Sequence, residues 1–203
     1  MDPAKIRLSP AEMELVNNAD LILTKNAILK KVKGLLEDLQ AKLQQDMSLH
    51  AAGLPVKVSG SSPKISKGEN YKGLPYLILD YPRLFEHENI FAVRTMFWWG
   101  HFFSVTLHLS GAHKKDVEEK LIGSYQVLKE KGYSFYINEK PWEHHFEGDN
   151  YVHLSELSKN DLEKLVREKP FVKLANKIPL QQWDESIEIL EGYFTELIGM
   201  LAV

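Results

Sequence analysis

The chain contains no cysteine, and this absence excludes three kinds of chemistry at once. Disulfide bonds, thiolate metal sites and cysteine nucleophiles all need a sulfhydryl group. A metal would therefore have to be bound by histidine and carboxylate side chains. Because a chain without cysteine also suits a reducing compartment, we expect a cytoplasmic protein.

Long apolar runs and a strong net charge are missing as well. No stretch reaches the ~18 apolar residues of a membrane span, so we expect no membrane contact. The first ten residues, MDPAKIRLSP, lack the basic start and apolar core of a signal peptide. Lys plus Arg number 25 and Asp plus Glu 28, giving a net charge of −3, which disfavours nucleic acid as a partner.

Three motifs that would identify an enzyme are also absent. The sequence has no HExxH metalloprotease motif, no G-x-S-x-G nucleophile elbow and no G-x-x-x-x-G-K-[ST] phosphate loop. No metal or other cofactor is required by any motif. The sequence therefore leaves open whether the protein is an enzyme.

What is present predicts one α+β domain over residues 1–203. The length and the 44% hydrophobic content suit a single hydrophobic core that is stable without disulfide cross-links. We predict a mixed, mostly antiparallel sheet of about four to six strands, packed by a long N-terminal helix, a middle helix and a C-terminal amphipathic helix. Its parts are a helical region at 10–49, a basic Gly/Ser/Lys loop at 55–75, a sheet region at 76–154 with a helix at 114–131, and C-terminal helices at 158–203.

Local signals place several of these elements. Ser9 and Glu12 form the two ends of a capping box around Pro10, and apolar residues recur at steps of three and four as far as Met47. Asn17 and Asn18 mark a break in this helix. Residues 76–81 form a strand that Pro82 ends.

The order of elements also predicts strand directions. Gly132 ends the middle helix, and the following strand at 133–138 runs in the same direction as the strand at 101–109, because the intervening helix and turn each reverse the chain. Residues 142–146 and 151–154 are expected to pair as a small hairpin across Gly148, Asp149 and Asn150.

The last helix carries an apolar seam at alternating steps of three and four. The seam comprises Leu180, Trp183, Ile187, Leu190, Phe194, Leu197 and Leu201. One interpretation is that it packs on the sheet of its own chain. The alternative is a homodimer formed through this helix, because the pattern resembles a short coiled coil.

The segment IFAVRTMFWWGHFFSVTLHLSG, residues 90–111, contains the densest β-pattern. A two-residue turn at Trp99 and Gly100 would place Met96 opposite Phe103 and Arg94 opposite Val105 on a mainly apolar face. The other face would carry aromatic side chains around a group of hydroxyls. An apolar wall with a few polar anchors is the composition of a small-molecule site, although an ordinary strand face has similar residues.

This face and its neighbour supply the candidate ligand-binding residues, which are Phe91, Arg94, Thr95, Phe97, Phe102, Ser104, Thr106 and His108. Arg94 is included because an arginine on a buried apolar face needs a carboxylate or an anionic ligand as its partner. Asp80 on the preceding strand is the protein partner that we expect.

A histidine cluster in WEHHFEGDNYVH raises a metal hypothesis. The predicted turn would place His144 directly opposite His153, with Cβ atoms roughly 5 Å apart, so the two imidazoles could share a divalent metal or act as acid and base. The further metal ligands are not assigned. Surface or aromatic-stacked histidines are the alternative.

The basic loop raises an anion hypothesis. Lys64, Lys67 and Lys72 lie among serines and glycines, and such loops bind phosphate through lysines and exposed backbone N–H groups. A solvated loop has the same composition.

The leading functional hypothesis is accordingly a soluble module that binds a small molecule on the aromatic and hydroxyl face of the central hairpin. The alternatives are an enzyme that uses His144 and His153 and an interaction protein that homodimerises through the helix at 180–201.

Overall fold

The computed structural model describes residues 6–202 and contains seven α-helices and seven β-strands in that range. The helices are α1 Pro10–Asn17, α2 Ala19–His50, α3 Val56–Ser59, α4 Gly111–Gly123, α5 Tyr125–Glu130, α6 Lys159–Glu168 and α7 Ser186–Leu201. The strands are β1 Lys64–Tyr71, β2 Leu74–Phe85, β3 Ile90–Trp98, β4 Phe102–Ser110, β5 Ser134–Tyr136, β6 Tyr151–His153 and β7 Phe171–Pro179. The predicted α+β class is confirmed.

The strands form one open sheet in the order β1-β2-β3-β4-β7-β5-β6, and every pairing is antiparallel. The sequence predicted a mixed, mostly antiparallel sheet of about four to six strands, whereas the structure has seven strands and only antiparallel pairings. The pairings are all antiparallel because β7 lies between β4 and β5. As predicted, β5 runs in the direction of β4, but the two strands are not neighbours.

The helices cover one face of the sheet and form the main core with it. Leu29, Val32, Leu36, Leu39 and Leu43 are buried on one side of α2, at the spacing that the sequence showed. The apolar seam of α7 packs on α2 and on the sheet, where Leu190, Phe194, Leu197 and Leu201 are buried within the chain.

Capping residues determine where the helices start and break. Ser9 and Glu12 form the predicted capping box of α1, and Asn18 ends α1 while its side chain caps α2. A second capping box, made by Ser158 and Asp161, starts α6. The predicted middle helix is divided at Ser124 into α4 and α5.

The central hairpin differs from the predicted register by one residue. Three residues, Trp99 to His101, form the turn, with Gly100 at a φ of 74° that favours glycine. Trp98 therefore pairs with Phe102, and Arg94 pairs with Thr106 instead of Val105. Because side chains alternate along a strand, this shift exchanges the faces of every β4 residue relative to β3.

The region predicted as a basic loop is largely regular structure. Residues 56–59 form α3, and β1 is an edge strand paired with β2 through the turn at Lys72 and Gly73. Strand β2 does not end at Pro82. It continues to Phe85 through an irregularity between Asp80 and Arg83, where the pairing with β3 shifts.

The second face of the sheet is covered by a segment without regular structure, residues 137–150, which we call the cover loop. Residues 142–146 do not form the predicted hairpin with 151–154, because β6 pairs with β5. Phe146 in the cover loop packs on Phe102 and stacks on Tyr151. The cover loop therefore buries side chains that would otherwise face solvent.

None of the helices formed by residues 6–202 combines the length and the apolar character that a bilayer crossing requires.

Candidate functional site

A buried ion pair lies on the face beneath the cover loop. Arg94 Nε donates to Asp80 Oδ1 at 2.8 Å, and Arg94 Nη2 donates to Asp80 Oδ2 at 2.9 Å. Asp80 is 6% exposed, and the two residues are directly paired across β2 and β3. The predicted partnership is confirmed, and this bidentate geometry engages both carboxylate oxygens of Asp80.

The third donor group of Arg94 approaches a histidine of the cover loop. Arg94 Nη1 lies 3.3 Å from His144 Nε2. Because a guanidinium only donates, His144 must accept at Nε2 and be neutral, with its proton on Nδ1. Burial, together with the charges of Arg94 and Lys173, lowers the pKa of His144 to about 2.

His108 on β4 is a second buried histidine, and its Nε2 has no hydrogen-bond partner among the described residues. Only 6% of the residue is exposed, and the rings of Trp142 and Phe171 lie 5.7 Å and 5.5 Å from its ring. Burial and the charges of Lys173 and Arg94 lower the pKa of His108 to about 3. A buried polar atom without a partner is uncommon and calls for an explanation.

Lys173 on β7 is directly paired with His108 across the sheet and is 2% exposed. Its ammonium group donates to the backbone carbonyls of Pro141 at 3.1 Å and Glu143 at 2.8 Å, and it lies 3.9 Å from the centre of the Tyr136 ring. No carboxylate among residues 6–202 forms an ion pair with it. Burial and the charge of Arg94 lower the pKa of Lys173 to about 7.

Two buried tyrosines form the side of the site next to β5 and β6. The Tyr136 and Tyr151 rings meet edge to face at 4.9 Å, and the Tyr136 hydroxyl donates to the carbonyl of Lys140. Burial raises the pKa of Tyr136 to about 12, and burial also raises the pKa of Tyr151 above its usual range. Both side chains are therefore neutral hydrogen-bonding groups at physiological pH.

The hydroxyl of Tyr71 attaches the cover loop to β1. It accepts hydrogen bonds from the backbone N–H groups of His144 at 2.7 Å and His145 at 3.1 Å, and it donates to Glu143 Oε2 at 3.1 Å. His145 is itself buried, with Asp149 Oδ1 3.3 Å from its Nε2. These contacts hold the middle of the cover loop, so the polar groups beneath it stay shielded from water.

A small cavity lies among these groups, with a volume of about 10 Å³. This space admits about one water molecule. Trp142 is 54% exposed and forms part of the wall together with Phe85, whose ring lies 6.2 Å away. The cavity is lined by Phe85, Ala92, Arg94, Thr106, His108, Pro141, Trp142, His144 and Lys173.

The eight candidate ligand residues from the sequence are divided between the two faces of the sheet. Arg94, Phe102, Ser104, Thr106 and His108 lie beneath the cover loop. The remaining three lie on the opposite face, where the helices bury them in the main core: Phe91, Thr95 and Phe97. The one-residue error in register had placed Arg94 on the face opposite its true neighbours.

The two histidines proposed as metal ligands have separate partners. His144 approaches Arg94, whereas His153 Nδ1 lies 2.6 Å from the Ser155 hydroxyl and its strand pairs with Ser134. Their predicted pairing is wrong because β6 takes β5 as its neighbour. Residues 6–202 contain no group of three or more histidine and carboxylate side chains placed to bind one metal.

The three lysines proposed as an anion-binding loop lie along the β1 edge of the sheet. Lys64 and Lys67 are in β1, and Lys67 forms an ion pair with Glu69 at 2.7 Å. Lys72 occupies the tight turn that follows, at a φ of 49°. Because Lys64 and Lys67 lie on an extended strand paired with β2, this segment lacks the concave backbone of a phosphate loop.

Lys173, Tyr136, Tyr151 and Trp142 were not among the sequence candidates. The sequence does carry a strand signal around Lys173, because Val172, Leu174 and Ile178 fall on one face of an alternating pattern and Lys173 and Lys177 on the other.

Comparison of the chain with protein-family models, with curated proteins and with solved structures gives no match.

Proposed function

We propose that the protein binds a small anion, a carboxylate or phosphate group, in the cavity beneath the cover loop. The observation that carries the proposal is His108 Nε2, which is buried without a hydrogen-bond partner at a cavity also lined by Arg94 and Lys173. In the neutral tautomer that carries its proton on Nε2, His108 would donate to a bound anion, which would supply the partner that this nitrogen lacks. The proposal keeps the central hairpin as the binding surface and assigns the site to its polar face.

The charges around the cavity support an anion over a cation or a neutral ligand. Asp80 and Arg94 neutralise each other, so Lys173 supplies the net charge at the cavity. The ammonium group of Lys173 contacts only carbonyl oxygens and aromatic rings. An anion next to Lys173 would replace the stabilisation that the ammonium loses by leaving water.

The size of the cavity requires the cover loop to move when a ligand binds. A volume of about 10 Å³ is too small for a carboxylate or phosphate group. Next to it lies an open groove of about 410 Å³, lined in part by Ile90, Phe171 and Ser110. His108 and Pro141 line both spaces, so displacement of Pro141 and Trp142 would join them.

Isothermal titration with sodium acetate and, separately, with inorganic phosphate tests the proposal, with sodium chloride as the ionic-strength control. We expect saturable binding and a change in tryptophan fluorescence, because Trp142 lies in the cavity wall. At pH 8, binding should take up protons, since a nearby negative charge raises the pKa of Lys173 above about 7. Titrations in two buffers of different ionisation enthalpy measure this uptake.

A pair of lysine variants on one strand provides the control. Lys173→Met should remove binding, whereas Lys177→Met, on the same face of β7 but exposed, should leave it unchanged. Equal affinity of the two variants would show that any binding occurs elsewhere. Absence of saturable binding of either anion up to about 10 mM would refute the proposed function.

A further inference from the structure

The N-terminal residues 6–23 expose an unusual amount of apolar surface, and we call this segment the arm. It carries eight of the 13 large hydrophobic side chains that are exposed among the described residues. Each is between 48% and 72% exposed: Ile6, Leu8, Met13, Leu15, Val16, Leu21, Ile22 and Leu23. Helix α1 has no buried residue, so the body of the chain does not cover it.

The apolar stripe of α2 continues into the arm. Ile22, Leu29, Leu36 and Leu43 follow one another at intervals of seven residues, and the last three are buried against the body. Ile22 has the same orientation on the helix but lies beyond the body, where it is 54% exposed. The apolar stripe of α2 that packs into the core therefore continues into the arm, where it is exposed.

The exposed area matches the requirement of a dimer. With roughly 100 Å² of apolar surface for a fully exposed aliphatic side chain, the eight side chains present about 500 Å². A standard interface buries about 800 Å² per partner, of which about 60% is apolar. The eight side chains together equal that apolar area, and they are distributed over more than one side of the arm.

A groove at the base of the arm has complementary chemistry. It has a volume of about 390 Å³ and lies between α2 and the β1–β2 hairpin, with Leu29, Ile65 and Leu77 among its apolar lining. Its polar lining comprises Asn26, Lys30, Lys33, Ser66 and Lys67. Lys33 and Lys67 are paired with Glu37 and Glu69, and Lys30 has no ion-pair partner among residues 6–202.

The charges of the arm fit this groove better than a membrane surface. The arm carries Glu12, Glu14 and Asp20 against the single cation Arg7. Helices that lie on anionic membranes carry Lys and Arg on their polar face. An apolar, acidic arm and an apolar groove in which Lys30 has no ion-pair partner among residues 6–202 are self-complementary, as a two-fold dimer requires.

We propose that two copies of the chain dimerise by exchanging arms, each arm lying in the groove between α2 and β1 of the other copy. The proposal is independent of the anion site, which lies under the cover loop on the other side of the chain's hydrogen-bonded sheet from α2. Sedimentation velocity of the full chain from about 1 to 100 µM should show a monomer–dimer equilibrium.

Matched variants on α2 locate the contact. Leu23→Glu should raise the dimer dissociation constant at least about tenfold, since it places a charge in the buried interface. Leu49→Glu, near the far end of the same helix and 77% exposed, should leave the constant unchanged. Circular dichroism should be the same for both variants, because neither side chain contributes to the core.

The absence of cysteine allows a second test that does not depend on affinity. The double variant Val16→Cys with Ile65→Cys should give covalent dimers with a bifunctional maleimide, whereas Leu49→Cys with Ile65→Cys should not. A wild-type monomer at about 100 µM would overturn the proposal, and so would equal cross-linking of the two double variants. A monomer that co-sediments with phosphatidylcholine–phosphatidylglycerol vesicles would assign the arm to a membrane instead.

Discussion

Replacing Lys173 by methionine should change how the free energy of unfolding depends on pH. In the folded protein the pKa of Lys173 is lowered to about 7, mainly by burial, from an ordinary value of 10.5. Between these values the unfolded chain carries a proton that the folded chain lacks. Wild-type stability should therefore rise with pH in this window, and below pH 7 the full cost of burying the ammonium is present.

The size of the effect follows from one proton. A full proton difference changes the free energy of unfolding by 1.36 kcal/mol for each pH unit. From about pH 7.5 to about pH 9.5 the difference is close to one proton throughout, so wild type should gain about 2.5 kcal/mol relative to Lys173→Met. Methionine does not titrate, so residue 173 contributes no pH dependence to the free energy of unfolding of the variant.

Urea unfolding at several pH values in this window measures the difference, and Lys177→Met is the matched control. Lys177 is exposed on the same strand, so its variant should keep the wild-type pH dependence. Parallel curves for wild type and Lys173→Met would refute the reasoning. They would mean that the contacts with Pro141, Glu143 and Tyr136 fully offset the loss of water around the ammonium.

Three further predictions concern stability. Asp80→Asn should destabilise the fold by about 3 kcal/mol in urea unfolding at pH 7, because it leaves the guanidinium of Arg94 largely buried without a carboxylate. His108→Phe should reduce the loss of stability as pH falls from 6.5 toward 3, since the wild-type histidine is neutral when folded and takes up a proton on unfolding. Urea unfolding in this pH range measures the effect, and the same pH dependence of the free energy of unfolding in wild type and variant would contradict it. Phe194→Ala should lower the free energy of unfolding by about 3–5 kcal/mol, whereas Val127→Ala, at a 60% exposed site, should change it by less than about 0.5 kcal/mol by thermal or urea unfolding.

The central hairpin shows how far local pattern extends and where it stops. Alternation located both strands closely, because a half-buried strand repeats every two residues. The turn length depends on one backbone conformation, the φ of 74° at Gly100, which two-residue and three-residue turns both accommodate. That single ambiguity separated Arg94 from Thr106 and His108 in the predicted site.

Strand β7 shows a different limit. Its residues lie within the region predicted as C-terminal helices, 158–203, although Val172, Leu174 and Ile178 recur at even spacing as in a strand. Lys173 and Lys177 interrupt the apolar run that is expected of a strand buried on both faces. A buried lysine is tolerated there because the cover loop supplies two carbonyl acceptors, and the loop's position is not a local property.

The amino-acid sequence by itself determined the α+β class, the helix starts at Ser9 and Ser158, the apolar stripe of α2 and the ion pair of Asp80 with Arg94. These features depend on neighbours within a few residues or on a charge that demands a partner. Only the tertiary structure decided that β7 lies between β4 and β5 and that residues 137–150 cover the polar face. Both depend on contacts between segments far apart in the chain, whose free energies appear only after the sheet has assembled.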